Sequence, residues 1–209
     1  MQNTILAISF VLASWPCVLS AQGLPALYDV TGVAAYDVLN VRAQPIESGE
    51  LLDRLAPDAQ AIEITALAKN GTWGRLNLGE RSGWVSMRFM TKQDRLPWTN
   101  MSGNILCYGT EPDWGLAIHG EQKKMTFTST FTDIDDNDFK IIESSTANQI
   151  PGVVGIVMEG AEGSGFATIT ATECSDGMSD RSFGLSSSIF IRDNQKVLLG
   201  YSGCCSVLP

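Results

Sequence analysis

Residues 125–132 read MTFTSTFT, and the alternation of large apolar with hydroxyl side chains in this stretch decides the fold class. Successive side chains of a β-strand point to opposite faces, so a period of two predicts a strand with one buried and one solvent-facing side. Shorter runs of the same kind follow the chain in both directions, at residues 114–118, 153–158, 165–172, 186–191 and 197–201. We therefore predict an all-β fold, with a barrel or sandwich in the C-terminal half.

The N-terminal half is also rich in β-type runs, at residues 36–42, 61–67, 73–78 and 83–90. The turns between these runs contain Gly or Pro, the residues that a reversing chain uses most. Many short strands with such punctuation are typical of a small barrel.

Four blocks in this half resemble a bacterial SH3 domain. They are residues 30–33 (VTGV), 39–43 (LNVRA, followed by Pro45), 71–76 (GTWGRL) and 83–86 (GWVS). The resemblance covers residues 26–92 and implies an SH3-like small barrel that binds peptides. Residues 93–104 are polar and aperiodic and are predicted to be a linker to a C-terminal β domain at 105–209.

Three aromatic residues of the SH3-like region are candidates for ligand binding. Tyr36, Trp73 and Trp84 could line a peptide groove, because SH3-like barrels bind peptides across exposed aromatic side chains. In the alternative, both tryptophans fill the small core as a cross-strand pair. That alternative leaves Tyr36 as the surface candidate.

The C-terminal half carries a second resemblance. Residues 107–114 (CYGTEPDW), 174–181 (CSDGMSDR) and 203–205 (GCC) are similar to a family of uncharacterised bacterial envelope proteins. The usual motif of that family is Gly-Thr-Glu-Pro-Phe-Trp, and Asp113 stands at its apolar position. The resemblance implies no established activity.

The charged residues of these motifs are the remaining site candidates, together with Trp114. Glu111, Asp176, Asp180 and Arg181 could form a recognition pocket or an acid–base pair. The alternative is a tight loop in which carboxylates accept backbone N–H groups and Arg181 pairs with Glu111 or an aspartate.

The N-terminus predicts export. Residues 1–21 contain no charged side chain, an apolar run covers 5–12, and Ala21 offers a small residue before a cleavage site. Alternatives are an uncleaved anchor, which the shortness of the run disfavours, and lipidation of Cys17, which the preceding Pro16 disfavours. We predict a signal peptide at 1–21, a periplasmic or secreted protein, and no stable membrane insertion after cleavage.

Cys107, Cys174, Cys204 and Cys205 remain after cleavage, and in an exported chain disulfides are expected. Adjacent Cys204 and Cys205 are poor partners for each other, and neighbours in a strand point to opposite faces, so each should find a different partner. The residues alone leave two pairings open. Shorter relatives in the second resemblance have one Cys before their Ser-Asp-Gly-Met-Ser-Asp and one after the final Gly, which implies Cys174–Cys204 and leaves Cys107–Cys205.

Other chemistry finds little support. The net charge of −9 argues against nucleic-acid binding. His119, the sole histidine, lies near no nucleophile motif, and the cysteine spacing does not suit zinc. Asp133, Asp135 and Asn137 have the alternation of a calcium loop without its Gly and Glu, so a solvated acidic turn is the favoured interpretation.

These observations predict an exported envelope binding protein without a cofactor or catalytic residues. Its SH3-like module would contact peptidoglycan peptides or an envelope protein. The alternative is an inhibitor or stability factor that acts on an envelope enzyme through the C-terminal domain.

Overall fold

The structure is a computed structural model that describes residues 23–130, 137–161 and 163–209. The predicted signal peptide lies outside the described residues, and so do Asp133 and Asp135 of the predicted calcium loop. The regular secondary structure of the described chain is β-strand with two 3-10 turns and no α-helix, which confirms the all-β prediction. Across those three ranges, no helix has the length and apolarity to span a membrane.

The N-terminal unit contains eight short strands in two antiparallel sheets, ordered β4-β1-β8 and β3-β2-β7-β6-β5. The strands are β1 (Ala26–Val30), β2 (Leu39–Arg42), β3 (Leu51–Leu55), β4 (Ile62–Ile64), β5 (Ala66–Leu67), β6 (Trp73–Leu78), β7 (Arg81–Ser86) and β8 (Met90–Lys92). Val41, Ile64, Leu76 and Val85 form the centre of one small core. Gly83 leaves space for this core, because a Cβ at that position would lie 2.5 Å from Cγ1 of Val41.

The C-terminal half forms a closed, antiparallel, eight-stranded barrel, so the choice between barrel and sandwich is settled. Its strands are β9 (Asn104–Thr110), β10 (Asp113–His119), β11 (Lys124–Ser129), β12 (Asn137–Thr146), β13 (Val153–Gly160), β14 (Gly163–Cys174), β15 (Phe183–Asp193) and β16 (Leu198–Leu208). Each strand pairs with the next, and β16 closes the barrel on β9. Met125 and Phe127 of β11 point into the barrel, as their alternation with threonine predicts.

Both predicted disulfides are present, Cys107–Cys205 and Cys174–Cys204. Cys205 lies directly opposite Cys107 in the register of β16 and β9, and both belong to the barrel core. Cys204 precedes Cys205 in β16, points to the outer face, and reaches Cys174 at the end of β14. The alternating directions of a strand therefore send the two neighbouring sulfurs to different partners.

Residues 93–104, predicted as a linker, contribute to the barrel core. Trp98, the first residue of the 3-10 turn Trp98–Asn100, and Met101, which follows this turn, are buried there. The Trp98 Nε1 donates a hydrogen bond to the Leu24 carbonyl oxygen of the N-terminal unit, at 3.4 Å. This segment thus packs against both units.

Glu63 of β4 marks a further contact between the two units. Its carboxylate accepts a hydrogen bond of 2.7 Å from the backbone N–H of Val207 in β16, and another from the Ser206 side chain. Burial raises the pKa of Glu63 to about 7, and these two hydrogen bonds offset only part of the effect of burial. The junction therefore holds a carboxyl group that ionises near neutral pH.

We expect the free energy of unfolding to fall as the pH rises from about 4.5 to about 7, because the folded state keeps the Glu63 proton over that range and the unfolded state releases it. The contribution of this group is on the order of 3 kcal/mol. The stability of the variant Glu63→Gln should lack this pH dependence, because Gln does not ionise. The variant should therefore be more stable than the wild type at pH 8. Urea unfolding at pH 4.5, 6 and 8 measures both proteins, and parallel pH profiles would contradict the assignment.

Candidate functional site

The loop after β14 is organised around Asp176. The Asp176 Oδ1 accepts hydrogen bonds from the backbone N–H groups of Ser179 and Met178, at 2.9 and 3.1 Å. The Oδ2 accepts one from the Ser179 hydroxyl at 2.8 Å and one from Nη2 of Arg181 at 3.0 Å. The loop therefore has the arrangement that the sequence offered as an alternative, in which a carboxylate accepts backbone N–H groups and pairs with Arg181.

The pKa of Asp176 shows the net effect of these contacts. Burial alone would raise it, but hydrogen bonds from Ser179, Met178 and Arg181 outweigh burial and lower it to about 2. Burial also raises the pKa of Tyr108 to about 12, so its phenol stays protonated and donates to Oδ2 of Asp176 at 3.4 Å. Asp176 is therefore a fixed anion at neutral pH.

Asp180 does not join this cluster. Its side chain is exposed, and its backbone pairs with the N-terminal unit: the Asp180 N–H donates to the Glu80 oxygen at 2.8 Å, and its oxygen accepts from the Ser82 N–H at 3.1 Å. Arg181 pairs with Asp176 and lies over the Phe183 ring, 5.2 Å from the centroid. The predicted pair of carboxylates is thus separated, and the loop docks onto the turn between β6 and β7.

A groove of about 520 Å³ runs beside this loop. Its floor is the outer face of β15 and β16, where Ser186, Ser188 and Ser202 point outward, and Glu111 and Met178 stand on its walls. Sequence reasoning identified Glu111 and missed the three serines. For Ser186 and Ser188 the alternation of β15 was the available signal, since residues 183–193 (FGLSSSIFIRD) place every second side chain outside the barrel.

Trp114, predicted as a binding residue, lies in the barrel core and not in the groove. It is only 3 % exposed and packs against the rings of Phe127 and Tyr201, at centroid distances of 6.2 and 5.9 Å. Its Nε1 donates to the Ser202 carbonyl oxygen at 3.3 Å. Trp114 shares the inward alternation of β10, so it supports the groove floor from inside.

The three aromatic candidates of the N-terminal unit differ in position. Trp84 is the cross-strand neighbour of Arg75, whose guanidinium lies 5.9 Å from the Trp84 ring centroid and whose Nη1 lies 2.6 Å from Oε1 of Glu173. Trp73 shares this outer face of β6 and is half-buried. Neither tryptophan belongs to the unit's buried core, and Tyr36 is 95 % exposed.

The outer face of the barrel also carries an apolar row, formed by Val157, Phe166 and Phe190. These residues are successive cross-strand partners on β13, β14 and β15, and all three are exposed. The Phe166 ring lies over Gly155 and the Phe190 ring over Gly200, where an added Cβ would be 3.1 and 3.2 Å from ring carbons. Two phenyl faces are therefore presented to solvent on one side of the barrel.

The variant Asp176→Asn is expected to lower the free energy of unfolding by about 1–3 kcal/mol at pH 7, because the hydrogen bonds to the anion weaken. In the wild type the stabilisation should be complete above about pH 5 and decline as the pH falls through 3.8 toward 2, since the folded pKa is about 2 and the ordinary value is 3.8. Urea unfolding of both proteins between pH 2 and 7 measures this. Glu159→Gln, at an exposed position, is the control, and an equal effect there would contradict the role of the loop.

Comparison of the chain with protein-family models, with curated proteins and with solved structures gives no match. Within the described ranges, no three His, Cys, Asp or Glu side chains are grouped closely enough to hold a metal ion. The function therefore has to be inferred from the residues and their geometry.

Proposed function

We propose that this chain is an exported binding protein of the bacterial envelope, periplasmic or secreted, whose N-terminal unit is an SH3-like module that contacts cell-wall peptides. The observation that carries the proposal is Tyr36, an almost fully exposed aromatic residue between β1 and β2. Val38 in the same segment is also exposed. SH3-like modules bind extended peptides through such aromatic side chains. The two disulfides support the location, because they persist in oxidising compartments.

The polar loop supports binding in preference to catalysis. A general acid or base needs a pKa near the working pH. Asp176 has a pKa of about 2, and its two oxygens are occupied by Ser179, Met178 and Arg181. This carboxylate organises a loop and is unsuited to proton transfer at neutral pH.

Retention on purified, protein-free sacculi tests the proposal. The wild-type chain should be retained, and Tyr36→Ala should lose at least tenfold in affinity, as expected for loss of an aromatic anchor. Ile150→Ala is the matched control, because Ile150 is an exposed apolar residue of the barrel half. A wild-type chain that does not bind, or a Tyr36→Ala chain that binds as well, contradicts the proposal.

A second candidate function is favoured by the apolar row. An inhibitor or stability factor that acts through the C-terminal domain would need an apolar surface for a protein partner, and Val157, Phe166 and Phe190 offer one. A photo-crosslinking residue at Phe166 should then capture one envelope protein in cells. The same residue at Thr128, an exposed position on β11, is the control. Equal capture from both positions counts against this function.

A further inference from the structure

A cleft of about 400 Å³ lies at the junction of the two units and shares no residue with the groove described above. Its walls come from β1, from β8, from the segment 93–104, and from the paired ends of β9 and β16. This volume lies in the range of small-molecule sites, and such sites occur preferentially between domains. The cleft is therefore of a size and position suited to a small ligand.

The lining of the cleft is mixed, with somewhat more apolar than polar surface. Leu27, Trp98 and Ile105 are buried at its base. Leu96 and Leu208 also line it, and Leu96 remains 64 % exposed although it stands on a concave surface. A ligand with an apolar body would remove this leucine surface from water, which favours binding.

The charges of the lining are unusual for a chain of net charge −9. Lys92 and Arg95 both line the cleft, and neither is among the ion pairs of the described residues. Hydrogen bonds from the Ala61 backbone N–H and the Gln93 side chain lower the pKa of Asp29, and the nearby Arg95 guanidinium lowers it further. Glu121 is the one anion of the lining, so cations exceed anions there by two to one. Two cationic side chains and one anionic side chain thus line this cleft of an acidic protein.

We propose that this cleft binds a medium-chain carboxylate, with its alkyl chain against Leu27, Leu96 and Trp98 and its carboxylate toward Lys92 and Arg95. The apolar base supplies affinity and the two cations supply the preference for an anion. Because both units form the walls, the bound molecule contacts both of them. Binding therefore stabilises the two-unit arrangement by mass action.

Isothermal titration of the full, non-reduced chain with dodecanoate below its micelle concentration tests the site. We expect one saturable site in the wild type, at least tenfold weaker binding in Lys92→Gln/Arg95→Gln, and no binding of dodecyltrimethylammonium, which has the same chain and the opposite charge. Lys69→Gln, at an exposed position outside the cleft, is the control for lost surface charge.

A second pair of variants tests the apolar wall. Leu96→Ala should weaken dodecanoate binding several-fold, whereas Leu198→Ala should not, although the two leucines are almost equally exposed at 64 and 65 %. The proposal is overturned if dodecanoate does not bind, if the cationic amphiphile binds equally well, or if the cleft variants bind like their controls. These outcomes are independent of binding to sacculi, so the two proposals stand or fall separately.

Discussion

Replacing both Cys107 and Cys205 with alanine is expected to lower the free energy of unfolding of the barrel by about 5 kcal/mol. The bridge joins residues 98 positions apart, so it removes much of the chain entropy of the unfolded state. It also ties the first barrel strand to the last, where closure depends on pairing between distant segments. Urea denaturation of the non-reduced proteins, followed by tryptophan fluorescence, measures the loss.

The second bridge provides the matched control. Cys174 and Cys204 are 30 positions apart, and the same relation gives about 3.5 kcal/mol for their double alanine variant. The variant without the Cys107–Cys205 bridge should therefore be the less stable of the two. The reverse order would mean that the bridge inside the barrel does not act mainly on the unfolded chain.

Trp114→Ala is expected to cost about 4 kcal/mol, the second large effect. The substitution leaves a cavity beside Phe127 and Tyr201 and removes the donor to the Ser202 oxygen. Trp84→Ala, at a half-buried position outside the N-terminal core, should cost much less. Thermal and urea unfolding measure both variants. A Trp114→Ala chain of wild-type stability would return this residue to the binding role that its motif predicted.

The sequence predicted strands well, because alternation is a local property that folding preserves. It could not distinguish barrel from sandwich, because closure depends on the register between β16 and β9, about a hundred residues apart. The Cys107–Cys205 bridge joins these two strands, and its pairing was predicted from a resemblance and not from the pattern of strands. The alternation of residues thus predicted the strands, whereas barrel closure depends on pairing between distant strands.

The candidate site was predictable only in part. The loop at 175–181 could be located by its motif, yet which carboxylate stays inside it depends on how the loop docks on β6 and β7. Trp114 lies inside the barrel, as the alternation of its strand indicates, whereas its motif suggested a position in a binding pocket. Trp98 and Met101 were missed because they stand singly in a polar segment, where no period reveals a buried face.

NMR titration of the isotope-labelled, non-reduced full chain with a soluble peptidoglycan stem peptide tests the proposed function most directly. We expect saturable chemical-shift changes concentrated at Tyr36 and Val38 and their neighbours in the N-terminal unit, and their loss in Tyr36→Ala. A titration that shifts no resonance, or that shifts only resonances of the barrel groove and the apolar row, would contradict an SH3-like peptide-binding module.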